Sequence, residues 1–112
     1  MIYTQGQIYN YLSQNPLNLE VFVGDAENLN GGDYIFFDIT NEDMIHYDNR
    51  GAYQTYIQIT IATKNYDNRN LLVNYVKKFL NVTVNYEKAI DFEYFIARCE
   101  CGILMKPEQM SV

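Results

Sequence analysis

His46 is the only histidine of the chain, so a Ser–His–Asp or Cys–His device would have to run through it as base. It stands between Ile45 and Tyr47, with no Gly-x-Ser-x-Gly and no cysteine in a helix-start context to serve as nucleophile. A histidine in that setting reads as a packing or surface residue. Asp25, Glu27 and Asp33, with Asn28 and Asn30 among them, offer oxygen atoms of the kind calcium prefers. Their spacing departs from an EF-hand, because Leu29 occupies a ligand position and the closing Glu is missing. A solvated acidic loop is the better reading. Cys99-x-Cys101 supplies two soft ligands, short of a tetrahedral set, and His46 would have to come from afar. Gly31-Gly32 lacks both the Gly-x-Gly-x-x-Gly pattern and a following Lys-Ser/Thr, so it is no phosphate cradle. The expectation is a protein with no catalytic, cofactor-binding or metal site, and not an enzyme.

The elements that would have to position any site are organised around Tyr53–Leu80. In YQTYIQITIATK, Ile57, Ile59 and Ile61 share one face with Tyr53, Thr55 and Thr63, and Gln54, Tyr56, Gln58, Thr60 and Lys64 share the other. Strict alternation rich in β-branched residues predicts a half-buried strand. The period then lengthens. Leu72, Tyr75, Val76, Phe79 and Leu80 recur at helical spacing, with Leu71 widening the stripe and Asp67 as expected N-cap. Lys77 and Lys78 sit where the helix dipole favours cations. A one-faced strand and a one-striped helix are predicted to cover each other.

Upstream, Thr4 and Gln7 form a capping-box pair for a helix over Thr4–Ser13, with Ile8, Tyr11 and Leu12 as its stripe and Asn15-Pro16 as its stop. A short strand is expected over Leu19–Val23, a loop over residues 24–32, and a central strand over Tyr34–Thr40. Thr40–Asp43 reads as a turn, Met44–Tyr47 as a short strand or arm, and Asp48–Gly51 as a hairpin turn. Downstream, Val82–Glu87 and Phe92–Met105 read as strands. In the second, Phe95, Ala97, Cys99, Cys101 and Ile103 face one way, while Glu93, Arg98 and Glu100 lie on mixed or solvent-facing ground. The tetrapeptide Tyr-Asp-Asn-Arg occurs at 47–50 and again at 66–69, but no longer period surrounds it. The fold class expected is α+β: a mainly antiparallel sheet of about five to six strands with two helices, the main helix on one sheet face. It forms a single domain over residues 1–106, with 107–112 as a short tail.

Apolar residues make up 48% of the 112 and charged ones 20%, a balance that favours a packed core over disorder. Eleven Tyr and six Phe suit either subunit interfaces or an ordinary sheet. The net charge of −6 is uneven: residues 1–60 carry eight acids against one base, and residues 61–112 carry six against seven. No basic cluster of the kind that duplex nucleic acid requires is present, so direct nucleic-acid recognition is not expected. The asymmetry fits protein partners on opposed faces, or a plain solvated acidic surface. Cys99 and Cys101 lie two apart on one strand and point the same way, which disfavours a mutual bridge; they read as reduced, buried thiols of a cytosolic protein. No signal peptide or transmembrane span is visible.

In its order of elements the chain resembles the tail-completion or tail-terminator proteins of long-tailed bacteriophages, over residues 1 to about 105. The resemblance rests on a helix at Gln5–Leu12, the strand YIFFDI, and a polar excursion at Asn41–Arg50. The strand YIQITIATKNY, similar to the family's aromatic/Gln-x-aliphatic strand, then runs into the helix NRNLLVNYVKKFL and a closing strand. Asp33-Tyr34 stands where the family often has Pro-Tyr. What the resemblance implies is a structural virion protein that forms a ring, commonly a hexamer. Such a ring caps the finished tail tube and joins it to the filled head. Its implied partners are itself, the tail-tube protein and a head-neck connector, with no membrane. Its implied places are the virion and, during assembly, the bacterial host cytoplasm. A connector or stopper of the neck that binds a portal ring is the alternative, and a small-ligand-binding domain built on the acidic loop is a third.

Two sets of residues carry the expected contacts. Gln54, Tyr56, Gln58 and Thr60 would form a subunit-interface or bore-lining face, or else simply face solvent. Asp25, Glu27, Asp33, Glu42, Asp43 and Asp48 gather six of the eight acids of the first sixty residues into two polar segments. These would dock a partner with a basic rim, or serve only as solvated loops.

Overall fold

The computed structural model describes residues 2–24, 32–47, 53–89 and 94–105, with only the backbone described at 2, 40–47, 53–54 and 89. Its elements in chain order are β1 (Ile2–Tyr3), α1 (Gln5–Ser13), β2 (Glu20–Val23), β3 (Tyr34–Tyr47), β4 (Tyr53–Thr63), α2 (Tyr66–Lys77), β5 (Thr83–Ala89) and β6 (Tyr94–Met105). The strands form one sheet in the order β1-β6-β4-β3-β2. β5 pairs with the same margin of β6 as β1, further back along the strand. The β3–β4, β4–β6 and β5–β6 pairs are antiparallel, whereas β1–β6 and β2–β3 are parallel. The fold is therefore α+β with a mainly antiparallel sheet, and both helices pack on one face.

That face is the one the alternation of β4 marks. Ile57, Ile59 and Ile61 are fully buried beside Ile35, Phe37, Ala97 and Cys99, and the helices lay Ile8, Leu12, Leu72, Val73, Val76 and Leu80 over them. At ~25 cal/mol per Å², burial on this scale supplies the main force holding the helices to the sheet. The helix side of β6 follows its pattern too, although Cys101 is only half-buried.

Helix α1 begins as its sequence dictates. The Gln7 amide N–H donates to Thr4 Oγ1 (3.1 Å), and the Thr4 amide N–H donates back to Gln7 Oε1 (2.9 Å). Asn15 then folds the exit. Only 2% exposed, it donates through Nδ2 to the carbonyls of Leu12 (2.8 Å) and Leu19 (3.0 Å). Its Oδ1 accepts from the amides of Leu17 (3.2 Å) and Leu19 (2.9 Å). One side chain thus satisfies backbone groups on both sides of the bend. Gly24, at φ +80°, ends β2 in a conformation costly for other residues, and its N–H still donates to Phe37 O (2.8 Å).

Three expectations need correction. Thr40–Asp43 is not a turn: β3 runs unbroken to Tyr47, because pairing with β4 supplies the hydrogen bonds a turn would otherwise have to make. The polar stretch is absorbed by register shifts between Thr40 and Asp43 and between Asp43 and Tyr47. The N-cap of α2 is Asn65, whose Oδ1 accepts from the Asn68 amide (3.0 Å); Asp67 lies in the first turn. Leu71 does not widen the buried stripe but is 45% exposed, and Val73 takes that place at 2%. The hairpin turn expected at 48–51 lies outside the described residues. No described helix is long and apolar enough to cross a membrane.

Candidate interaction face

The second face of the sheet is covered by neither helix, and its side chains form ordered transverse rows. The register places Asp38, Gln58 and Glu100 in one row across β3, β4 and β6. Phe36, Thr60 and Arg98 form the next, and Tyr34, Ala62 and Ile96 the one after. Phe22 on β2 extends the second row beside Phe36.

Glu100 is the fixed point of the first row. Its Oε1 accepts from Gln58 Nε2 (2.7 Å) and its Oε2 from the Tyr56 hydroxyl (2.9 Å). A carboxylate held through both oxygens by neutral donors loses its freedom to rotate. Next along β6, Arg98 Nε donates to Glu87 Oε2 at 2.8 Å, with side chains 37% and 51% exposed. An ion pair that open orients charge more than it stabilises the fold. Thr60 differs from expectation: only 2% exposed, its Oγ1 has no hydrogen-bond partner among the described residues.

Toward the other end the face turns aromatic. The Tyr34 ring lies 5.8 Å from Phe36 and 5.8 Å, edge-on, from Tyr94. Burial first, then neighbouring Tyr94, raises the Tyr34 hydroxyl above its ordinary pKa against an opposing pull from Arg98. The Tyr94 hydroxyl donates to Gly32 O (2.7 Å), and Asp33 Oδ1 accepts from the Lys64 amide (2.9 Å). These two bonds pin the chain just before β3 to the sheet end. Asp33 is therefore a structural tie, a role its place among acids concealed.

Of the expected interface residues, Tyr56, Gln58 and Thr60 share this face, the first two spent on Glu100 and the third buried. The Gln54 side chain lies outside what is described. So do Asp25, Glu27 and Asp48 entirely, and the side chains of Glu42, Asp43 and His46, whose backbones belong to β3. Among the described residues no three His, Cys, Asp or Glu side chains group as metal ligands. Cys99 is buried and free, and burial pushes its thiol up to about 12, which makes it a poor nucleophile at neutral pH.

Sequence reasoning missed Glu100 as an organiser, since its two donors lie more than forty residues away and no local spacing marks them. It also missed Arg69, which is 7% exposed and sits over the rings of Tyr66 (4.7 Å) and Tyr86 (4.5 Å). A signal existed there: Arg69 falls three residues before Leu72, on the buried stripe of α2. Comparison with models of known protein families, with curated proteins and with solved structures returns no match to this chain.

Proposed function

We propose that this chain is a structural, ring-forming protein that ends the tail tube of a long-tailed bacteriophage and joins it to the head. The observation that carries the reading is the one-sided sheet. Two helices cover one face, and the other presents a fixed carboxylate, an oriented ion pair and an aromatic end. Such a face suits repeated contact with large partners, because its polar groups are already organised before contact and little ordering remains to be done. The role requires no reacting group, in keeping with the sequence motifs. Self-association, the tail-tube protein and a neck connector are the partners proposed, and the virion the place of action.

The test is native mass spectrometry of the purified chain, followed by incubation with purified tail tubes over a salt series. A closed ring that binds tube ends, more weakly as salt rises, is the expected result. Changing Glu42, Asp43 and Asp48 to their amides should slow that binding and flatten its salt dependence while the ring persists. A ring that ignores tubes and binds isolated portal complexes would make the protein a neck connector instead. A chain that stays monomeric at every concentration would overturn the reading.

A further inference from the structure

Two lateral margins of the sheet, the outer edges of β2 and β5, are paired by no described residue. A free strand edge presents a row of backbone donors and acceptors ready for another strand. Strand directions follow from the pairings: β2 runs with β3, against β4, with β6 and against β5. The two free edges are therefore opposed in direction. When a second copy is set beside the first with the same sheet face up, its β5 meets the first copy's β2 in the antiparallel sense.

Four of the five exposed large apolar side chains among the described residues are distributed to match: Val23 (49% exposed) and Tyr9 (41%) lie toward β2, and Tyr66 (54%) and Tyr86 (52%) toward β5. The fifth, Leu71 (45%), lies near Pro16 and Tyr75 and flanks neither edge. Val23 is in register with Phe37, and Tyr86 with Ala97, and both partners are buried under the helices. The Tyr9 ring lies 6.5 Å from that of Phe37, and the Tyr66 ring 5.7 Å from that of Phe95. These four thus occupy the helix-bearing layer, at opposite ends of it. Isolated exposed apolar residues need no explanation. Two pairs in one layer, each flanking a free strand edge, do.

We propose that copies of this chain associate head to tail, β2 of one pairing antiparallel with β5 of the next, in the register that sets Val23 against Tyr86. Val21 then faces Lys88, and Glu20 faces Ala89. Shifting by two residues would place Glu20 directly opposite Glu87, a like-charge pair that disfavours that register. The contact joins two different surfaces, so it propagates and closes only as a ring. This inference rests on the self-assembly proposed above and identifies the contact that produces it. The open face, with Glu100 and Arg98, stays free of it and becomes the continuous wall of the ring.

Disulfide trapping tests the contact. In a Cys101→Ser background, Val23→Cys and Tyr86→Cys are made singly and together in the full chain. Oxidising a mixture of the two single variants should give a covalent dimer, and either alone should give none. The double variant should give a ladder that stops at the ring size seen by native mass. Because Tyr86→Cys also strips a ring from Arg69, Val23→Lys serves as a second probe: it should remain folded by circular dichroism yet shift from ring to monomer. Dimers from Val23→Cys alone would show a symmetric contact and overturn the proposal. A wild-type ring with no ladder and no effect of Val23→Lys would overturn the edge contact while leaving the ring standing. A monomeric wild type would remove both.

Discussion

The hydroxyl of Tyr11 donates to the backbone carbonyl of Tyr75 at 2.7 Å, and the hydroxyl of Tyr75 donates back to the carbonyl of Tyr11 at 2.5 Å. Their rings stack 4.3 Å apart at 17°, and Phe79 stacks on Tyr11 at 4.2 Å. This reciprocal clasp ties α1 to α2 across the top of the core. Tyr11→Phe and Tyr75→Phe keep the stack and each remove one donor, so each should cost about 1 kcal/mol. Because the two bonds hold the same pair of rings in place, the double variant should show a coupling of ~0.5 kcal/mol or more in urea unfolding. Strict additivity would mean the two bonds act independently.

Alkaline pH should weaken the fold. Burial is the first cause raising the hydroxyls of Tyr11, Tyr34, Tyr75 and Tyr94 above 10.0, and it pushes the Cys99 thiol from 9.0 to about 12. The unfolded chain releases these protons first. Stability is therefore intact below the ordinary thiol value and declines as pH climbs toward the folded values. Urea midpoints measured from pH ~8 to ~11 should fall, and Cys99→Ala should delay the onset of that fall. A flat profile would mean these groups ionise alike in both states.

Arg69 locks α2 to the margin formed by β5 and β6. Its guanidinium faces Tyr66, Tyr86 and Phe95, and Nε and Nη2 donate to Asn70 Oδ1 at 3.3 and 3.2 Å. Arg69→Lys keeps the charge but loses the flat stacking surface, and should cost about 1–2 kcal/mol. Arg69→Ala, which also loses the packed stem, should cost more. At ~4 °C per kcal/mol for a domain of this size, melting curves resolve the difference. An Arg69→Ala protein that melts with the wild type would show the stack to be incidental.

Ile59 has no exposed surface and sits on β4 between Phe37 and Cys99 in register. Ile59→Asp would bury an unpaired carboxylate, a penalty of several kcal/mol comparable to the whole stability of a small domain, on the order of 5–15 kcal/mol. No soluble folded protein should be recovered. Ile59→Val, which loses one methyl, should remain folded at a cost of about 1 kcal/mol.

Local signals fixed the elements well where a single segment decides the outcome. The capping box at Thr4 and Gln7, the alternation of Ile57, Ile59 and Ile61, and the stop at Asn15 each depend on near neighbours, and each is where its residues place it. Sequence misled where a distant partner decides. Thr40–Asp43 has the composition of a turn, yet β4 holds it extended. Asp67 and Asn65 both have capping chemistry, and only the path out of β4 selects Asn65. The even residues of β4 were visible as a polar face, but their engagement with Glu100 depends on β6 lying alongside. Thr60 is buried because its neighbours on both sides, Phe36 and Arg98, are large. No local pattern encodes that.

Ile2 pairs with Leu104 and Tyr3 with Met105, so the sheet is completed by residues far apart in sequence. β6 is also the only described strand that joins β4 to β5. During synthesis, then, the β3–β4 ribbon and α2 emerge long before the strand that covers the inner edge of β4. Until residue 105 has left the ribosome, that edge stands open along an isoleucine-rich segment, the kind of surface that pairs with other nascent chains. Productive folding of this protein is thus a race between β6 and the neighbouring chains on the same messenger, and slower translation across β6 would favour the neighbours.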